Sequence, residues 1–244
     1  VKSALMTLDQ KAEVLGALGV DRLAVLPFSE SVAQLSAEAF ARRVLREGLG
    51  TVQVVVGQDF RFGRGRAGNV EILARLGESL GFGVTSAPPV LQDGIVISSS
   101  RIRDCLAGGE VAKARSLLGR PFYVDGAIVA GEGRGRTLGF PTANVAPRNE
   151  TLPRLGVYAC RVRLGDGGTL WPAVANLGRR PTFGAGEAVL EAHLLDFDGD
   201  LYGSEARVQF VEWLRPEKAF PGPLPLLEQI RSDLRAARRV LENP

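Results

Sequence analysis

The stretch Gly131-Glu-Gly-Arg-Gly-Arg-Thr-Leu-Gly-Phe-Pro-Thr-Ala-Asn144 gathers the residue types that phosphate and metal chemistry need. Its alternating glycines let backbone N–H groups approach an anion closely, and Arg134 and Arg136 between them add positive charge. A Walker loop is excluded, because the Gly-Lys-Ser/Thr ending and the following helix pattern are absent. On the glycines alone, an ordinary hairpin turn is the better account. The ending Pro141-Thr142-Ala143-Asn144 weighs against it. On an extended chain Thr142 and Asn144 point their oxygens to one face, where both can ligate a hard cation such as Mg2+. A turn cap is the plain alternative for this pair.

A second group lies in Leu190-Glu-Ala-His-Leu-Leu-Asp-Phe197. A period of two puts Glu191 and His193 on one face of a strand and Leu190, Ala192 and Leu194 on the other. A carboxylate in mid-strand fits where that face meets solvent or a site; taken alone, a solvated face accounts for it. His193 is the only histidine of the chain, and a hydrogen-bonded structural role is the ordinary one for a lone histidine. In the third group, Leu214-Arg-Pro-Glu-Lys-Ala-Phe220, the cations Arg215 and Lys218 and the ring of Phe220 could hold a planar ligand by stacking and a phosphate by charge. Alone, it reads as a loop.

The elements that must position these residues follow two patterns. Up to about Gly119, helix and strand alternate. Thr7 and Gln10 form a capping box before a helix ending at Gly19. A strand is expected at Arg22–Leu26, a helix after Ser36, and a buried parallel strand at Val52–Val56 that ends in the turn Gly57-Gln-Asp-Phe60. A helix over Val70–Leu80, stopped by Gly81, precedes a strand around Val84. This is an α/β arrangement whose ligands would bind beyond the carboxyl ends of the strands, where Gly57–Gly65 falls. Past Gly108–Pro121 short strands take over: Tyr123–Ala130, Val157–Leu164, Leu170–Asn176, Ala188–Phe197 and Arg207–Leu214. Their spacing and turn residues predict an antiparallel barrel, closed by an amphipathic helix over Leu226–Leu241. The boundary is expected between residues 118 and 119.

The 244 residues suffice for two ordinary domains, and 45% hydrophobic with 23% charged residues is the balance of a folded chain. No apolar run is long enough to span a bilayer and no signal peptide opens the chain. Two cysteines, Cys105 and Cys160, without CxxC spacing argue against a disulfide framework or a zinc site and fit a reducing cytoplasm. The net charge of +3 comes from scattered arginines without a nucleic-acid motif, which suits phosphate-bearing small molecules better than DNA or RNA.

Taken together, the motifs resemble the riboflavin kinases, and specifically the bacterial bifunctional riboflavin kinase/FAD synthetases. The ordered segments are GRGRTLGFPTAN, Asn176–Gly184, Leu190–Gly203 and LRPEKAF, with Val54–Gly68 and Ile97–Arg103 in the α/β half. The resemblance covers essentially the whole chain. It implies an incomplete Rossmann-like nucleotidyltransferase domain followed by a small antiparallel β-barrel kinase domain with a C-terminal helix. It also implies a cytoplasmic enzyme that phosphorylates riboflavin to FMN with ATP and Mg2+. Gly131, Gly133, Gly135 and Arg136 would line the ATP phosphates, with His193 and Tyr202 near the nucleotide. Thr142 and Asn144 would hold the metal, and Glu191 would be the general base. Arg215, Lys218 and Phe220 would border the flavin. Asp59, Phe60, Ser99, Ser100 and Arg103 would be retained from the adenylyltransferase site.

The family's HxGH signature has no counterpart in the sequence. The expectation is therefore a parent protein that makes both FMN and FAD and a chain that makes FMN, with an α/β half less stable than the barrel. A non-catalytic flavin- or nucleotide-binding module is the competing reading. Expected partners are riboflavin, FMN and ATP, not nucleic acid or membrane; self-association is left open.

Overall fold

The computed structural model describes residues 3–131, 135, 138–165, 168–179, 188–199, 201 and 203–242. The chain forms two compact units, one of residues 1–17 with 98–244 and the other of residues 18–97. Helix α1 (Leu8–Ala17) starts at the expected capping box. The Gln10 N–H donates to Thr7 Oγ1 at 3.2 Å, and the Thr7 N–H donates to Gln10 Oε1 at 3.1 Å.

In the 18–97 unit, α2 (Glu30–Ala33) precedes α3 (Ala37–Ala39), which runs on as a π-helix over Phe40–Gly48. Ser36 caps α3 by accepting the Ala39 N–H at 3.1 Å. Strand β1 (Gln53–Gly57) pairs in parallel with β2 (Gly83–Ala87), and α4 (Val70–Leu80) connects them. A short hairpin, β3 (Leu91–Gln92) with β4 (Ile95–Val96), ends the unit. The core is Ala41, Phe62, Leu73 and Phe82.

Two expectations fail in this unit. Arg22–Leu26 carries no regular structure and is exposed. A run of Leu and Val becomes a strand only with a partner ladder, and among the described strands β1 and β2 pair only with each other. Nor is β1 a buried strand. Val54 and Val56 are half-buried, while Gln53, Val55 and Gly57 are exposed.

The other unit continues with α5 (Ser99–Gly108) and α6 (Val111–Leu118), then six strands. These are β5 (Phe122–Val129), β6 (Ala143–Pro147), β7 (Gly156–Leu164), β8 (Leu170–Arg179), β9 (Ala188–Leu194) and β10 (Glu205–Arg215). They close into an antiparallel barrel in the order β10-β5-β6-β9-β8-β7. Five of them sit where sequence alternation places strands; β6, which carries Asn144, is an addition. Helix α7 (Pro223–Glu242) packs its Ala237 and Leu241 against Ala159 of β7, Val174 of β8 and Val211 and Leu214 of β10.

The register fixes which side chains enter the barrel. Leu190, Ala192 and Leu194 of β9 stand opposite Leu177, Ala175 and Ala173 of β8, and all six are buried. The alternate residues Glu191, His193, Val174 and Asn176 therefore share the outer face. Helix α1 is tied to another part of the barrel by a polar cluster. Buried Gln10 donates to Asp125 Oδ2 at 2.9 Å and to Asn149 Oδ1 at 3.1 Å. Arg207 forks onto Glu13 through two bonds of 2.6 Å and also bonds Asp125 at 2.7 Å.

Candidate active site

One row of cross-strand partners runs around the barrel and carries most of the chemistry. Val129 stands opposite Asn144, Asn144 opposite Glu191, Glu191 opposite Asn176, Asn176 opposite Val157, and Val157 opposite Arg215. Direct neighbours in such a ladder keep their Cβ atoms about 4.5–5.5 Å apart. Residues 144, 191 and 176 are thus brought together by register, although far apart in sequence.

This face, the loop after β10 and helix α7 bound a cleft of about 630 Å3, within the range of small-molecule sites. Val157, Val174, Leu226, Ile230 and Leu234 give it an apolar wall. Among the expected site residues, Thr142, Asn144, Glu191 and His193 line it, as do Gly135, Arg215, Lys218 and Phe220. Gly133, Arg136 and Tyr202 lie outside the described residues.

Asn144 is only 8% exposed, and its Oδ1 has no hydrogen-bond partner among the described residues. A buried acceptor left without a donor is rare and costs about 1–3 kcal/mol. Gly131 is the residue that lets this side chain lie where it does, since a Cβ there would collide with the Asn144 amide. Thr142, two residues earlier, is exposed to the same cleft. Hydroxyl, amide and carboxylate oxygens are the donor set that hard cations take. Among the described residues no group of three His, Cys, Asp or Glu side chains gathers to hold a metal.

His193 is a hydrogen-bonding residue. Its Nδ1–H donates to the carbonyl of Pro141 at 2.7 Å, and its ring stands edge-on to Phe140 at 5.7 Å. Phe140 in turn donates its N–H to the Gly135 carbonyl at 2.8 Å. The histidine thus ties Phe140 and Pro141, just before Thr142, to strand β9.

At the opposite end, Arg215 is already paired. Buried Asp233 of α7 accepts from its Nε at 3.0 Å and its Nη2 at 2.8 Å, and Gln229 donates to the same carboxylate at 2.9 Å. A guanidinium neutralised in this way shapes the cleft more than it attracts a phosphate. Lys218 and Arg215 each lie 5.9 Å from the centre of the Phe220 ring, at the limit of cation–π contact. Sequence reading passed over Asn176, Glu217, Phe140 and Asp233. The alternation of Val174 and Asn176 marks their common face, but only the β8–β9 register sets Asn176 beside Glu191.

The residues expected from an adenylyltransferase site are divided between the two units, Asp59 and Phe60 in one and Ser99, Ser100 and Arg103 in the other. Asp59 is exposed in the turn closed by the Phe60 N–H on the Gly57 carbonyl, just past the carboxyl end of β1. Phe60 stacks on Phe62 at 5.5 Å and packs against the core of its unit. Ser98 caps α5, so Ser99 and Ser100 form its exposed first turn. Arg103 donates its Nε–H to the Ser3 carbonyl at 2.7 Å.

Comparison with known proteins decides the family. The profile described as riboflavin kinase matches residues 118–241, and that described as FAD synthetase matches residues 1–101. A bifunctional riboflavin kinase/FMN adenylyltransferase of Pseudomonas fluorescens is 42% identical, over 96% of this chain and 75% of its own length. The chain belongs to the bifunctional riboflavin kinase/FMN adenylyltransferase family.

The family member from Escherichia coli K12 is 41% identical over 96% of this chain and 74% of its own. A crystal structure described as a macrolide-efflux protein from Streptococcus pneumoniae superposes with a TM-score of 0.87 at 31% identity. It covers 96% of this chain and 75% of that one. Among the described residues, no helix is long and apolar enough to cross a membrane. The six-stranded barrel is thus the riboflavin kinase portion of a bifunctional family member, and the 18–97 unit falls within its FAD synthetase portion.

Proposed function

We propose that the cleft beside β6, β8 and β9 transfers the terminal phosphate of ATP to the ribityl hydroxyl of riboflavin, giving FMN and ADP. One observation carries this reading. Asn144, whose buried Oδ1 has no hydrogen-bond partner among the described residues, is the direct cross-strand neighbour of Glu191, in a cleft with an apolar wall fit for an aromatic ring system. Thr142 and Asn144 would hold Mg2+, which would neutralise charge on the phosphates of ATP when bound. Glu191 accepts the proton of the attacking hydroxyl as its oxygen bonds to the γ-phosphorus and the bond to the ADP oxygen breaks. A positioned base of this kind contributes about 10²–10⁴-fold.

Gly131 and Gly135 border the phosphates, and we place Gly133, Arg136 and Tyr202 on the nucleotide by family resemblance. His193 orients the metal-holding segment through Pro141 instead of touching the nucleotide through Nδ1. Lys218 and Phe220 border the flavin, with Arg215 held behind them by Asp233. We take residues 1–118 and 119–244 as the FMN adenylyltransferase-like and riboflavin kinase modules. Two free buried cysteines suit a cytoplasmic setting.

The test is chromatography of riboflavin incubated with the chain and MgATP, with Glu191→Gln alongside. FMN from the wild type, reduced at least a hundredfold in the variant while riboflavin still quenches on binding, supports the assignment. Equal turnover by both removes Glu191 as the base. Riboflavin binding without any FMN from the wild type returns the cleft to a binding module.

A further inference from the structure

Glu217 is a second carboxylate in the cleft, and its pose is built into the barrel. It follows β10, yet its Oε1 reaches across to β8 and accepts from the Asn176 Nδ2 at 3.4 Å. Among the described residues that long bond is its sole hydrogen bond, so most of its acceptor capacity remains free. The approach depends on Gly178, where a Cβ would collide with the same Glu217 oxygen. Asn176 is in turn the direct cross-strand partner of Glu191. The chain therefore sets, in order along one face, a base, an amide and an exposed carboxylate.

The substrate of the proposed reaction has the complementary form. A ribityl chain carries a terminal hydroxyl and further hydroxyls on the carbons behind it, leading to the isoalloxazine ring. With the terminal hydroxyl at Glu191, a ladder spacing of about 4.5–5.5 Å reaches the next few carbons of an extended polyol. Hydroxyls there need acceptors, and a carboxylate with free lone pairs takes a donor pair well. We infer that Asn176 and Glu217 read the polyol hydroxyls of the substrate and so select flavins that carry a ribityl chain. This inference rests on the kinase reading of the cleft and adds the residues that determine its specificity.

The experiment compares riboflavin with lumiflavin, which has the ring system without the polyol, by fluorescence titration of the full chain. Wild type is expected to bind riboflavin more tightly. Glu217→Ala and Gly178→Ala, the latter by displacing the carboxylate, are expected to weaken riboflavin roughly ten- to a hundredfold, the scale of lost hydrogen bonds to a charged group. Lumiflavin binding and the KM for ATP should stay within about twofold, and Glu217→Gln, which keeps one acceptor oxygen, should recover part of the loss. Equal weakening of both flavins would assign Glu217 to loop shape and overturn the inference, as would unchanged riboflavin binding or a wild type blind to the polyol. If the wild type forms no FMN and the selective loss persists, the catalytic reading falls while the polyol contact stands.

Discussion

Asn144 shows how one residue can be poor for stability and necessary for chemistry. Its buried Oδ1 has no partner among the described residues, which penalises the folded chain by about 1–3 kcal/mol unless a ligand supplies the contact. Asn144→Ala is thus expected to abolish most FMN formation at any practical Mg2+ concentration. Its unfolding free energy in urea should stay within about 1 kcal/mol of wild type, because relief of the orphan acceptor offsets the lost packing. A destabilisation well beyond that would make the side chain structural. At this scale much of the site is legible in sequence. The alternation around Glu191 and His193 gives their common face, and the spacing of Thr142 and Asn144 gives theirs. Asn176 and Glu217 are not legible, because their place depends on strands that meet only through register and on a glycine that leaves room.

Elements act through their anchors, and α1 has the most demanding ones. Gln10→Ala would remove the 2.9 Å bond from the Asn149 amide to Gln10 Oε1 and one donor from Asp125, at a buried position. The expected loss is about 1–3 kcal/mol in urea unfolding. Glu13 adds a pH-dependent part. The hydrogen bond from Arg207, followed by the attraction of nearby arginines, holds its carboxyl below the usual carboxylate range despite some burial. A carboxyl depressed in the folded state stabilises above its unfolded pKa, and the benefit disappears as pH falls through the folded one. Glu13→Gln should accordingly lower the melting temperature at pH 7, and the gap to wild type should close as the buffer passes below the carboxylate range. A gap that is constant down to pH 2 would show that charge is not what Glu13 contributes.

The same scale explains the misread elements. Strand β6 is short, begins just after Pro141 and contains two alanines and an asparagine, so its propensity is weak; its pairing with β5 and β9 makes it a strand. Arg22–Leu26 has the better composition and lacks the partner.

At the scale of the whole chain, sequence similarity and packing divide the protein differently. The FAD synthetase profile takes residues 1–101, whereas α1 packs with the barrel and the other compact unit begins only at Leu18. The chain passes from one unit to the other after Ala17 and returns before Ser98, and Asp21 and Asp93 lie exposed near those two passages. Sites for a sequence-specific protease placed at both positions would sever the covalent links without touching an anchor of α1. The anchors that remain include the Gln10 bonds to Asp125 and Asn149, the Glu13–Arg207 fork, the Arg103 bond to the Ser3 carbonyl and the bonds of Ser3 and Ala4 to Thr151. Native mass spectrometry after double cleavage is expected to find the N-terminal peptide still bound to the barrel fragment, and Gln10→Ala with Glu13→Gln should release it. Release from the unmutated chain would mean that α1 stays on the barrel only through the polypeptide link, and that the profile boundary describes the folding units better than the packing does.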